Sequence, residues 1–132
     1  MKTSTGVHLI LDGETAMPLC ASTVERFLRH FPRYIEMRRI TDPVVVAVEG
    51  GLCGIVVIAA SHISVHTQGC RIWVDIFSCI GLDVETATRG VVRLLRLGRY
   101  HVRALPRVMP PSTLMRVNAT PAAFRTGSLG KR

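Results

Sequence analysis

Aromatic side chains are scarce. Phe, Tyr and Trp make up 5% of the 132 residues, which leaves little surface on which nucleic-acid bases could stack. Long apolar runs are missing too, and none approaches the ~20 residues that span a bilayer. No extended apolar stretch follows Lys2, so a secretory leader is not expected and the cytoplasm is the expected compartment. In that reducing setting Cys20, Cys53, Cys70 and Cys79 are expected as thiols. Acids are few: 9 Asp and Glu against 17 Lys and Arg give a formal charge of +8. Residues 109–132 carry Arg116, Arg125, Lys131 and Arg132 and no acid, hence +4 of that total. The body is only mildly basic. Arg89, Arg93, Arg96, Arg99 and Arg103 recur every three or four residues, which predicts a solvated helix face. Nucleic acid is not an expected partner.

What is present suffices for one folded domain. Hydrophobic residues make up 48% of the chain, a globular composition. Val7 to Leu11 reads as a strand ended by Asp12-Gly13. Ser22 to His30 reads as a helix with Val24, Phe27, Leu28 and Phe31 on one stripe and Ser22 as N-cap. Tyr34 to Ile40 alternates as a strand, broken by Asp42-Pro43. Val44 to Val48, Gly54 to Ala59, Ser61 to His66 and Ile72 to Ser78 read as further strands, with a turn at Gly50-Gly51. Asp83 caps a second helix carrying Val84, Ala87, Val91 and Leu94 or Leu95, ended by Gly98. Tyr100 to Leu105 gives a last strand. The expected fold is α+β: a two-layer sandwich with a mainly antiparallel sheet and two helices on one face. Residues 1–108 form the expected domain and 109–132 an expected mobile basic tail. The sheet edges need pairing or protection, which predicts a homodimer or higher homo-oligomer.

Three familiar chemistries fail on spacing. His62 and His66 would lie ~13 Å apart on one strand face, too far to share a metal ion, and no Cys-x-x-Cys pair exists, so no metal is expected. Glu49 to Ile55, "EGGLCGI", lacks the Lys-Ser/Thr of a phosphate loop and leads into a strand, so it reads as a hairpin turn. Ser61 has Ala59 and Ile63 where a nucleophile elbow has glycines. What remains is a serine at a strand break, with His66 and Cys79 a short distance on.

The segment "GIVVIAASHISVHT", then "VDIFSC", then "LDVETA" resembles the prokaryotic S-adenosylmethionine decarboxylase proenzymes. The matching residues are Ser61, His62, His66 and Thr67, then Asp75, Phe77 and Cys79, then Asp83 and Val84. The tight match covers about residues 53–84. The resemblance implies a self-processing enzyme whose cofactor is a pyruvoyl group made from Ser61. The Ser61 hydroxyl would attack the Ala60 carbonyl, and β-elimination would cut the chain between residues 60 and 61. The ketone would form a Schiff base with the substrate amine and accept the electrons released with CO2. By similarity, His66 assists the elimination, Cys79 returns a proton to the substrate carbon, and Cys53 and Ala60 occupy processing-assisting positions.

The departures from the family bear on the substrate. Ala60 stands where the family has glutamate, and Cys53 where it has serine. Gln68, Gly69 and Cys70 replace a Trp-Pro-Glu whose glutamate holds the nucleoside ribose. Ala47 stands near where the family supplies an aromatic for the adenine. Each lost contact would cost about 1–3 kcal/mol of recognition. The expected substrate is therefore smaller than S-adenosylmethionine: a basic amino acid, ornithine or arginine, in polyamine biosynthesis. Its distal cation needs an anion, for which Glu36, Glu49 and Asp75 are candidates, and His62 is a further candidate contact. S-adenosylmethionine itself is one alternative. An uncleaved, inactive homologue acting as a binding or regulatory subunit is another.

Overall fold

The computed structural model describes residues 6–59 and 61–108. Ala60 and the basic tail expected over 109–132 lie outside the described residues. The elements run β1 (Gly6–Glu14), α1 (Ala21–Tyr34), β2 (Val44–Val48), β3 (Gly51–Ile58), β4 (Ser61–Gln68), β5 (Arg71–Ser78), α2 (Val84–Leu95) and β6 (Arg99–Arg107). The six strands form one sheet in the order β2-β3-β4-β5-β1-β6, with every neighbouring pair antiparallel. The expected α+β architecture is the observed one.

Alternation along the strands builds the core. Leu9, Leu11, Val56, Ile58, Ile63, Val65, Ile72, Val74 and Ile76 all point to the helix side and are buried. Val24, Phe27, Leu28 and Phe31 of α1 and Ala87, Val91 and Leu95 of α2 close over them. Burial of each large side chain contributes about 1.5–3 kcal/mol. The helices meet at Gly90, where an added Cβ would lie 2.7 Å from Tyr34 Cδ1 and 2.9 Å from Phe31 Cε2. No helix among the described residues is long and apolar enough to cross a membrane.

Several local expectations are corrected. β1 does not end at Asp12-Gly13, because it is paired on both sides as far as Glu14, opposite Arg71 and Arg99. Arg99 Nη2 also lies 2.6 Å from Glu14 Oε2. The N-cap of α1 is Cys20, not Ser22, and the helix runs on through Pro32 to Tyr34. Tyr34 to Ile40 is not a strand. Glu36 turns the chain with a φ of 57°, and only Arg39 bridges to Ile58. β2 takes most of the β3 edge instead. Asp83 does cap α2, its Oδ1 accepting from the Thr86 N–H at 3.1 Å. That helix stops at Leu95, with Arg96 left-handed (φ 55°), before Gly98 is reached. Arg99 and Arg103 therefore sit on β6, and the five arginines do not share one helix face.

The helix contact is testable at Gly90. Gly90→Val is expected to lower stability by about 1–3 kcal/mol through overpacking against Phe31 and Tyr34. Urea denaturation would show this as a lower midpoint, and an unchanged midpoint would refute the close contact.

Candidate active site

The first residue of β4, Ser61, sits opposite Ile58 of β3 and Ser78 of β5. Its side chain takes the helix side with Ile63, Val65 and Thr67, and the residue is 8% exposed. Its Oγ is buried without a hydrogen-bond partner, one of two such atoms among the described residues, the other being Thr88 Oγ1. An unpartnered buried hydroxyl costs about 1–3 kcal/mol. It is also uncommitted to any structural bond.

Cys79 follows Ser78 directly and is exposed. A tight turn sets its position. Ser78 is fully buried, its Oγ donates to the Ile80 carbonyl at 2.7 Å and accepts from the Ile80 N–H at 3.2 Å. Cys79 is thus held one residue beyond the cross-strand neighbour of Ser61. A serine ending a strand before a short loop is a turn signal, and it could have marked Ser78 in the sequence.

His66 lies elsewhere. It is five residues along β4, ~16 Å at strand rise, and odd spacing sends it to the face opposite Ser61. There it faces Cys53 across β3 and Trp73 across β5, with 5.7 Å between the His66 and Trp73 ring centroids. Cys53 and His66 are cross-strand neighbours, and Cys79 follows the cross-strand neighbour of Ser61. The two pairs are not brought to each other within one chain.

The candidate anions also separate. Asp75 is engaged by His8, whose Nε2 lies 2.9 Å from Asp75 Oδ1 on the open face. Glu49 is exposed in the β2–β3 turn, at the far end of the sheet from Ser61, where its carbonyl accepts from Gln68 Nε2 at 2.8 Å. Glu36 lines a cleft of about 260 Å³ with Tyr34, Gly81, Leu82 and Asp83. Gly81 and Leu82 lie just beyond Cys79, so this cleft adjoins the Ser61 end of the sheet. His62 is on the open face, 5.5 Å from the Phe77 ring. Among the described residues no three His, Cys, Asp or Glu side chains are grouped to hold a metal ion.

Comparison with known proteins gives the family and the fold. Residues 8–108 match the family described as S-adenosylmethionine decarboxylase. The chain belongs to the S-adenosylmethionine decarboxylase family. Its fold is similar to the crystal structure of the adenosylmethionine decarboxylase from Aquifex aeolicus VF5. The TM-score is 0.67 at 20% identity, covering 87% of this chain and 100% of that one. No curated protein matches the chain. The family consists of pyruvoyl-dependent decarboxylases related to polyamine biosynthesis.

Within this S-adenosylmethionine decarboxylase-family chain, the departures occupy defined places. Gln68, Gly69 and Cys70 form a tight β4–β5 turn. Gly69 has a φ of 56°, and its N–H donates to the Gly50 carbonyl at 2.9 Å. Ala47 is exposed on β2. No carboxylate stands in the β4–β5 turn.

One reactive group was not foreseen. Cys20 Sγ lies 3.1 Å from both Ser22 Oγ and Thr23 Oγ1. The Ser22 hydroxyl bond, then those of Thr23, lower its pKa from 9.0 to about 7, because they stabilise the thiolate. The thiolate forms as pH rises. Alkylation of Cys20 by iodoacetamide is expected to accelerate with a midpoint near pH 7. Peptide mapping across pH 5.5 to 9 (roughly the range around a thiol pKa) checks it, and a midpoint no lower than that of an unperturbed thiol would contradict it.

Proposed function

We propose that this chain is a self-processing, pyruvoyl-dependent decarboxylase of polyamine biosynthesis whose substrate is a basic amino acid, ornithine or arginine. The carrying observation is a buried, unpartnered Ser61 hydroxyl, with Cys79 one residue past its cross-strand neighbour. That setting fits a pyruvoyl group derived from residue 61. The Ser61 hydroxyl adds to the preceding carbonyl, and the amide becomes an ester. Removal of the Ser61 Cα proton expels the carboxylate of residue 60 and cuts the chain. Water then releases ammonia from the remaining dehydroalanine and leaves the ketone. When formed, the pyruvoyl group supplies an electron sink for decarboxylation of a bound amino acid. On this reading the Cys79 thiol returns a proton to the substrate carbon.

Glu36 favours the small basic substrate. Its cleft of about 260 Å³ falls below the roughly 300–1,000 Å³ typical of drug-sized ligand sites. The Glu36 carboxylate there suits a distal ammonium or guanidinium. Asp83, which also lines the cleft, is committed to capping α2. A second reading, S-adenosylmethionine itself, draws support from Trp73 and Phe77 on the open face, where a nucleoside could stack.

The active form on this proposal is a homodimer. The sheet face away from the helices carries Val44 (58% exposed), Val46 (50%), Ile55 (45%) and Val57 (43%) in adjoining rows. Such a contiguous apolar face marks an interface. Cys53 and His66 lie on it. A second copy packed face to face would cover Cys53 and His66 and leave Ser61 on the helix side.

Two experiments test these proposals. CO2 release assayed with ornithine, arginine and S-adenosylmethionine side by side should favour ornithine or arginine. Turnover of S-adenosylmethionine alone would overturn the substrate assignment. For the dimer, sedimentation should give twice the chain mass for the wild type and the single-chain mass for a Val46→Glu, Ile55→Glu double variant. A wild type that sediments as a single chain would contradict the dimer.

A further inference from the structure

A second cleft lies where the β1–α1 loop, α1 and the C-terminal end of α2 meet. It measures about 560 Å³ and is lined by Met17, Phe27 and Leu94 together with Arg26, His30 and Arg96. It is remote from Ser61. The Ser61 row of the sheet runs through Ser78 and Val7, whereas β1 reaches this cleft only past Glu14, opposite Arg71. Seven strand steps separate the two ends, ~23 Å.

We infer that this cleft binds an amphipathic anion, a small molecule joining a carboxylate or phosphate to an apolar body. The volume is in the usual range for small-molecule sites. Two guanidiniums and an imidazole line it, and no Asp or Glu does. Among the described residues neither Arg26 nor Arg96 has an ion-pair partner. The N-terminus of α1 adds to the positive field: Thr23 of its first turn lines the cleft, no side chain caps the helix, and its first turn holds no acid.

The remaining features point to the apolar part of the ligand and to Arg96. Met17 and Leu94 are 74% and 45% exposed at the cleft, so apolar surface sits beside the cations. Arg96 is left-handed, with a φ of 55°. Glycine takes that conformation freely and a side-chain-bearing residue only at a penalty. An arginine at such a helix end lowers stability and is accounted for by what its guanidinium binds. A free inorganic phosphate would satisfy the cations and leave the apolar wall wet. A neutral apolar molecule would leave the cations unmatched.

Isothermal titration calorimetry of the full chain tests this site independently of Ser61 cleavage. Phenyl phosphate and octanoate should each saturate one site per chain. Inorganic phosphate and benzyl alcohol, the separated halves, should bind about ten-fold more weakly or worse. Arg96→Gly supplies the residue the backbone favours, so its unfolding midpoint should be no lower than wild type, while its affinity for phenyl phosphate falls about ten-fold. Arg26→Gln should weaken binding similarly. The inference is overturned by absence of saturable binding, by inorganic phosphate binding as tightly as phenyl phosphate, or by wild-type affinity in both variants.

Discussion

Successive side chains of a β-strand point to opposite faces, and on β4 this alternation governs everything the chain can do. Ser61, Ile63, Val65 and Thr67 go to the helix side, and His62, Ser64, His66 and Gln68 to the open side. The division is fixed because the inner set builds the core. A one-residue register slip would bury His62 and His66 and expose Ile63 and Val65. Pairing with β3 and β5 along its whole length locks the strand in place. The serine proposed to become the cofactor and the histidine proposed to move its proton are therefore on different faces of one sheet. Within the folded chain Ser61 and His66 stay apart, and a copy covering the open face would shield His66 without bringing it to Ser61.

The same sheet explains the apolar open face. An antiparallel sheet covered on one side commonly presents polar residues on the other. Here the β2–β3 side presents valines and an isoleucine, and the β5–β1 side presents Trp73, Phe77 and the His8–Asp75 pair. The row Cys53–His66–Trp73 runs between them. A covering copy would exclude water from that row, where proton transfer and aromatic contact both gain from a lower dielectric. The family features absent from this chain, a carboxylate after the His-Thr pair and an aromatic near Ala47, are those the resemblance assigns to a nucleoside. The residues retained, Ser61, His66 and Cys79, are those proposed for cleavage and protonation.

Much of this was legible in the residues. Apolar stripes at helical spacing located both helices, and the period-two runs located the strands of the sheet. The family was legible in Ser61, His66 and Cys79 with their neighbours. Tyr34 to Ile40 misled because its alternation resembles a strand, while the β3 edge it would need is mostly taken by β2. The helix ends misled because Cys20 and Arg96 hold positions usually given to serine or glycine. The separation of His66 from Ser61 was implicit in their odd spacing. Ser78 and the basic cleft at Arg26 and Arg96 depend on contacts between distant segments, which no local pattern reports.

The central claim is that the backbone cuts itself at Ser61, and denaturing mass spectrometry of the purified chain after prolonged incubation tests it most directly. The account predicts two fragments, residues 1–60 with a free carboxyl terminus and a second beginning at position 61 with a pyruvoyl-blocked amino terminus. A Ser61→Ala chain should remain whole. A wild-type chain that stays intact at its full mass, with serine still at position 61, would contradict the account.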